Sequence, residues 1–156
     1  NPQLDPLGYG YQALMSKSAI AAGGFWGSGF SGGTEYKSIP YAHTDFIFAV
    51  TSEKFGFLAA LVFFILMCVL VTRIIIIGHN SRKQYGAYIC AGVAAVLIAQ
   101  TIENIGMCLA ILPVVGITLP FMSYGGSSVL SLYIMLGVVQ SVHTHRTKYF
   151  FERESL

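Results

Sequence analysis

The sequence predicts an all-α, polytopic membrane fold: three transmembrane helices behind an outer loop that carries short interfacial helices. Three observations carry this. Hydrophobic residues make up 54% of the 156 residues and charged residues only 10%, against about 25% charged in an ordinary soluble domain. The charges are spaced so that uncharged apolar runs remain between them, each near the roughly 20 residues that cross a bilayer. The connectors between those runs also differ sharply in basic content, the asymmetry that orients membrane helices.

The same numbers exclude other classes. High apolar content with a net charge of +2 excludes a disordered chain. No more than two Lys or Arg adjoin anywhere, so the basic stripe of a nucleic-acid binder is missing. Cys68, Cys90 and Cys108 all lie inside apolar runs and read as small buried hydrophobes, with neither zinc spacing nor a disulfide framework. The chain starts Asn1-Pro2 with no basic segment before an apolar one, so it shows no signal peptide and reads as an internal or C-terminal piece of something longer.

The outer segment, residues 1–54, comes first. Tyr11 to Ala22 forms a short interfacial helix, and the six glycines within Gly23 to Gly33 stop it, being too many for a helix interior. They lack the Lys and the spacing of a phosphate-binding loop, so turn geometry is their expected use. The stretch Phe46 to Val50 forms a second short helix leading into the membrane. The first span occupies about 55–77, with Arg73 snorkelling to the interface. The second occupies about 86–112, and the third, about 127–145, follows a loop at 113–126. Residues 147–156 form a polar tail. The first connector, Gly78 to Gln84, contains Arg82 and Lys83, with Arg73 just before it, and Arg146, Lys148 and Arg153 lie at the end of the chain; residues 113–126 hold no basic residue. Residues 1–54 and 113–126 are therefore expected outside, and the tail in the cytoplasm.

Three polar groups need explaining. In His43-Thr44-Asp45-Phe46-Ile47-Phe48-Ala49 a carboxylate lies beside a hydroxyl and an imidazole where water meets lipid. Either Thr44 or Asp45 caps the following helix, or Asp45 is a base at the membrane surface. Gln100, Glu103 and Asn104 share one helix face in an apolar segment. A lipid-facing carboxylate there costs ~2.5–3.5 kcal/mol, so they face other helices, for packing, or a wet path. The loop from Pro113 ends in Ser127-Ser128, which cap the last helix or, with its N-terminus, receive an anion such as pyrophosphate.

These residues also carry a family resemblance. Asp5-Pro6, Gly10-Tyr11-Gln12, Gly23-Gly24, Gly27, Gly29-Phe30 and Gly33-Thr34 resemble the large outer loop of the SEDS proteins (shape, elongation, division and sporulation). The His43-Thr44-Asp45 run is similar to that loop's most diagnostic motif. Asn104-Ile105-Gly106-Met107, Leu112-Pro113, Leu119-Pro120-Phe121 and Ser123-Tyr124-Gly125-Gly126-Ser127-Ser128 resemble the C-terminal signature, nearer the RodA branch than FtsW. The resemblance implies the last third of a roughly ten-helix peptidoglycan glycosyltransferase of the bacterial plasma membrane. Such an enzyme polymerises lipid II, releases undecaprenyl pyrophosphate and works beside a class B penicillin-binding protein. Asp45 is then the essential carboxylate. Substrate contacts are expected from His43, Thr44, Gln100, Glu103, Asn104, Ser127 and Ser128, with Lys37 and Lys54 as further cations for pyrophosphate. A divalent cation, Mg or Mn, is a possible cofactor with unknown ligands. Tyr41 and Lys54 stand where the family commonly has acidic residues, which alters charge around Asp45. Ala110-Ile111 replaces the usual Gly-Leu before the proline, a packing change. The fragment alone is expected to be inactive. Two other classes compete: a transporter of lipid-linked precursor, with Gln100, Glu103 and Asn104 lining its path, and a membrane scaffold for the penicillin-binding partner. The effect of changing Asp45 discriminates among the three.

Overall fold

The computed structural model describes residues 9–29, 32–39, 42–81 and 83–145. Four α-helices run in the order α1 (Tyr9–Gly23), α2 (Ile47–His79), α3 (Gln84–Cys108) and α4 (Gly126–His145), with a short 3-10 turn at Glu35–Ser38 between the first two. Among the described residues there is no strand. The last three helices are long and apolar enough to cross a membrane. The basic residues expected at Arg82 and beyond His145 lie outside the described residues.

The first long helix differs from the span expected at 55–77. It starts at Ile47, so the short helix and the span are one element, broken at Gly56 (φ 71°, ψ −168°). The two parts have different surroundings. Before the break, Phe48, Ala49, Val50, Ser52 and Glu53 are buried in protein; after it only Met67, Ile74 and Gly78 are. From Phe57 to His79 the helix rises about 35 Å at 1.5 Å per residue, enough to cross the hydrocarbon.

The break strands carbonyls that an unbroken helix would satisfy, and the glycine loop supplies the missing partners. The Ser28 N–H donates to the Glu53 carbonyl at 2.9 Å and Gly29 N–H to the Lys54 carbonyl at 3.0 Å. In the other direction, Phe57 N–H donates to the Gly24 carbonyl at 3.0 Å, and the Ser28 hydroxyl adds a second bond to Glu53 O at 2.8 Å. Such backbone pairing needs close approach. A Cβ on Gly27 would lie 2.3 Å from the Lys54 carbonyl oxygen and 2.6 Å from Gly56 N. The glycines thus do more than make turns: two of them let one backbone lie against another.

Two apolar cores result. One, at the α1 end of the bundle, joins Ala19, Ile39, Phe46, Phe48, Ala49 and Leu119. The other fills the space among α2, α3 and α4 with Met67, Ile74, Cys90, Leu97, Leu132 and Val139, and Phe63 packs against both. The first is tied to α3 by Ser16, fully buried on α1, whose hydroxyl donates to the Cys108 carbonyl at 2.9 Å. That carbonyl belongs to the last turn of α3, where helix carbonyls lack internal partners.

The helix α3 ends at Cys108, short of the expected 112, because the chain reverses there. Ile111 and Leu112 N–H both return to the Gly106 carbonyl, at 2.9 and 3.1 Å. The reversal turns on Ala110 at φ 59°, the left-handed position that usually closes a helix with glycine. The Ala110-Ile111 departure, expected to be a packing change, thus bears on backbone conformation at Ala110. Ala110→Gly is expected to raise stability by about 1 kcal/mol, the low end of the cost of a left-handed non-glycine residue, as a higher melting temperature in detergent. Gly27→Ala is expected to destabilise the chain by more than Gly24→Ala in the same assay. Both glycines have positive φ, but nothing lies within 4 Å of a Cβ on Gly24.

Candidate functional site

The His43-Thr44-Asp45 segment lies at the α1 end, immediately before α2. Phe46 occupies the N-cap position of α2 and makes no side-chain cap bond. Asp45 is therefore one residue outside the cap, and capping does not account for its carboxylate. The segment is instead held by its backbone. The three consecutive carbonyls are each taken by a donor from the C-terminal half. Tyr124 N–H donates to His43 O at 3.2 Å, the Ser123 hydroxyl to Thr44 O at 2.6 Å, and Asn104 Nδ2 to Asp45 O at 2.8 Å.

Each donor is itself fixed. Asn104 is fully buried, and its amide donates a second bond to the Ile117 carbonyl at 2.7 Å. One side chain of α3 therefore clamps together the segment before α2 and the loop before α4. The Ser123 hydroxyl, buried as well, accepts from Leu119 N–H at 2.7 Å while donating to Thr44. Asn104 is thus a positioning residue; its neighbours on the helix differ from it. Gln100 lines a cavity of about 230 Å³ between α3, α4 and the 118–123 loop, together with Ser123, Ser127, Ser128 and Ser131. Glu103 is half-buried and its side chain makes no hydrogen bond or ion pair among the described residues.

The two serines do not cap α4 as expected, because that helix starts one residue earlier, at Gly126. They sit in its first turn, and the Ser128 hydroxyl donates to the Gly125 carbonyl at 2.9 Å. Both line the cavity.

Backbone pinning leaves the Asp45 carboxylate unbonded among the described residues. It is half-buried and faces Gly116, where an added Cβ would lie 3.2 Å from its Oδ2. Gly116 also has φ 75°, so glycine is suited there both by conformation and by the room it leaves. On the other side of the segment lies an open hollow lined by Tyr36, Lys37, Ile39, Ala42, His43 and Thr44. Lys37 reaches it; Lys54 lies with its Nζ 4.8 Å from the centre of the Tyr36 ring, close to the hollow but not part of its lining. Among the described residues no three His, Cys, Asp or Glu side chains gather to hold a metal ion. Mg²⁺ commonly binds one or two carboxylates and completes its shell with substrate phosphate and water; the residue here that could serve it so is Asp45, whose carboxylate has no bond among the described residues.

Two residues of the site were missed in the sequence. Ser123 was read only as part of a motif. Glu53 was not singled out at all, yet it is fully buried. Its Oε1 accepts from Glu35 N–H at 3.0 Å and its Oε2 from Tyr36 N–H at 2.8 Å. It thereby holds the turn that presents Tyr36 and Lys37 to the hollow. Its sequence neighbours Thr51, Ser52 and Lys54 are polar as well, so nothing local marks Glu53 out.

Fold and site together define a polytopic membrane protein that holds one carboxylate at the mouth of its helix bundle. A family model described as a cell cycle protein, FtsW/RodA/SpoVE, matches residues 1–148, and the chain belongs to this family. It is 41% identical over 148 residues to peptidoglycan glycosyltransferase MrdB of Escherichia coli K12, covering 94% of this chain and 40% of that protein. It is 38% identical over 143 residues to stage V sporulation protein E of Bacillus subtilis, covering 91% and 39%. A solved chain from a peptidoglycan synthase complex, in a study of coordinated polymerization and crosslinking, superposes with a TM-score of 0.78 at 33% identity, over 92% of this chain and 39% of that one. The chain thus spans about two fifths of the length of the relatives it matches.

Replacing Asn104 by Ala leaves two carbonyls, of Asp45 and Ile117, without their donor. Each unsatisfied buried group costs about 1–3 kcal/mol, so a loss of about 2–6 kcal/mol is expected by thermal unfolding in detergent. Faster amide exchange should appear at residues 46–50 and 117–119 and not within α4 away from the cavity.

Proposed function

We propose that the polypeptide containing this chain is a peptidoglycan glycosyltransferase that polymerises lipid II into glycan strands, with Asp45 as its general base. The observation that carries the reading is the manner in which Asp45 is held: carbonyl bound by Asn104, carboxylate unbonded and given room by Gly116. Lipid II keeps its hydrocarbon chain in the bilayer and its sugars in the adjoining water. A base for it belongs at a bundle mouth, at headgroup level. Residues 1–54 and the loop 113–126 are accordingly assigned to the outer face of the plasma membrane, and the C-terminus to the cytoplasm, following the basic connector.

The step is a substitution at the donor sugar. The Asp45 carboxylate accepts the proton of the acceptor's 4-hydroxyl, whose oxygen attacks the donor's anomeric carbon. The bond from that carbon to the diphosphate oxygen breaks, and undecaprenyl pyrophosphate leaves with the electron pair. The hollow beside His43 and Thr44 offers Lys37 to phosphate charge and Tyr36 as an aromatic face for sugar. The cavity holding Gln100, Ser127 and Ser128 offers uncharged donors to the second substrate, and Glu103 is assigned to its rim. Lys54 contributes positive potential from its place over Tyr36. A divalent cation, Mg²⁺ or Mn²⁺, would be held by Asp45 and substrate phosphate and would supply charge neutralisation at the leaving group. The partner is a transpeptidase of the class B penicillin-binding type, in keeping with the synthase complex to which the similar solved chain belongs.

The test is glycan polymerisation from purified lipid II by the longest natural form of the polypeptide with its transpeptidase partner. Asp45→Ala and Asp45→Asn are expected to lower the rate by about 10²–10⁴-fold, the usual contribution of a general base, while melting temperature and partner co-purification stay unchanged. Retained polymerisation in both variants overturns the assignment. In that event, an effect of Glu103→Gln on lipid movement across vesicles would favour a transporter, and an effect on neither would favour a scaffold.

A further inference from the structure

Outside the site, the loop that splints the broken helix carries an aromatic cluster. Phe25 and Trp26 meet edge to face with ring centroids 5.7 Å apart, and Phe25 lies 5.8 Å from Phe57. All three are turned outward: Phe25 is 59% exposed, Trp26 79% and Phe57 55%. The backbone on both sides of them is bonded to the helix, at Gly24, Ser28 and Gly29.

Their level along the bundle is informative. Phe57 is the first residue after the Gly56 break. From there to Ile77 the helix rises about 31 Å, close to the ~30 Å of a bilayer's hydrocarbon. At the far end of that rise, at the start of α3, Tyr85 and Tyr88 are likewise outward, 79% and 69% exposed. Aromatic side chains at both ends of an apolar span mark the two interfaces of a membrane. The cation nearest the cluster in sequence, Lys54, does not cover it, since its ammonium lies over Tyr36.

We propose that Phe25, Trp26 and Phe57 form a membrane anchor, seated in the boundary between lipid headgroups and acyl chains, which fixes the depth at which the bundle mouth is held. The rigid stretch between the break and Ile47 transmits that depth to Asp45, which lies two residues before α2. This second clause rests on Asp45 being the reactive carboxylate; the anchor itself does not.

Trp26 is the chain's one tryptophan and reports on its own surroundings. The longest natural form of the polypeptide, with Trp26 as its sole tryptophan, is placed in phosphatidylcholine–phosphatidylglycerol vesicles containing lipids brominated either near the headgroup or near the bilayer centre. Expected is a loss of Trp26 emission that is larger with the shallow bromines, and little loss with aqueous iodide. Iodide quenching without bromolipid quenching puts the ring in water and overturns the anchor. Quenching by neither puts it against protein, and overturns it in favour of a protein contact. A second measurement concerns depth: Trp26→Ala is expected to lower polymerisation in vesicles while leaving it unchanged in detergent. Bromolipid quenching with equal effects in both media would keep the anchor and overturn its bearing on Asp45. Failure of Asp45→Ala to impair polymerisation would remove the assigned chemistry and leave the quenching result intact.

Discussion

A single amide organises this structure. Asn104 sits on α3 with no exposed surface and donates from one nitrogen to carbonyls in two segments distant in sequence, at Asp45 and Ile117. Both carbonyls are in irregular backbone, where no helix or sheet ladder offers a partner. Within an apolar bundle each would otherwise be a buried acceptor without a donor, a costly state when water is excluded. Asparagine suits the task because its NH₂ group has two protons, one for each carbonyl. A serine has one and an aspartate none. Serine 123 performs the adjacent task in a different way, passing a bond from Leu119 N–H through its hydroxyl to Thr44 O.

The same rule, that backbone groups find partners, accounts for the glycine loop. A helix interrupted at Gly56 has a gap in its hydrogen-bond ladder, and residues 24–29 close it with their own backbone. At Gly27 contact at that range leaves no room for a Cβ. The interruption also separates the helix into a stretch embedded in protein and a stretch whose surface is mostly turned outward. The glycine run, expected to serve turn geometry, is therefore also a splint for the broken helix.

The sequence disclosed the features that depend on composition and local spacing. Uncharged runs between Lys54, Arg73 and Glu103 revealed the apolar helices because burying a charge in hydrocarbon is expensive, and that cost leaves its mark residue by residue. Helix ends were less legible. The early start of α2 is hidden because Glu53 and Lys54 look like a boundary; one is instead buried by backbone donors and the other lies on Tyr36. The early end of α3 depends on Ala110 taking a conformation that its residue type does not advertise. Within the site, Asp45 stood out because a carboxylate beside apolar residues is conspicuous. The pairing of Asn104 with Asp45 joins positions 59 apart in sequence, and Ser123 with Thr44 joins positions 79 apart; no local pattern encodes either.

Asp45 and Glu53 are two carboxylates at opposite ends of one short helical stretch, and the fold uses them in opposite ways. Glu53 is sealed from solvent, and both its oxygens accept backbone N–H groups, so its acceptor capacity serves to hold the turn at Glu35–Ser38. A substrate would find little there that is not already engaged. Asp45 is fixed through its main chain, and the side chain is left half-buried beside a residue with no Cβ. Holding a group by its backbone gives orientation without consuming the polar atoms of its side chain. The division also explains why the pinning bonds come from the C-terminal half. Bonds within the His43–Asp45 segment alone would let it move as a unit, whereas donors on α3 and on the loop before α4 reference it to the bundle. The main chain that carries the carboxylate is thereby referenced to α3 through Asn104 and to the loop before α4 through Ser123 and Tyr124.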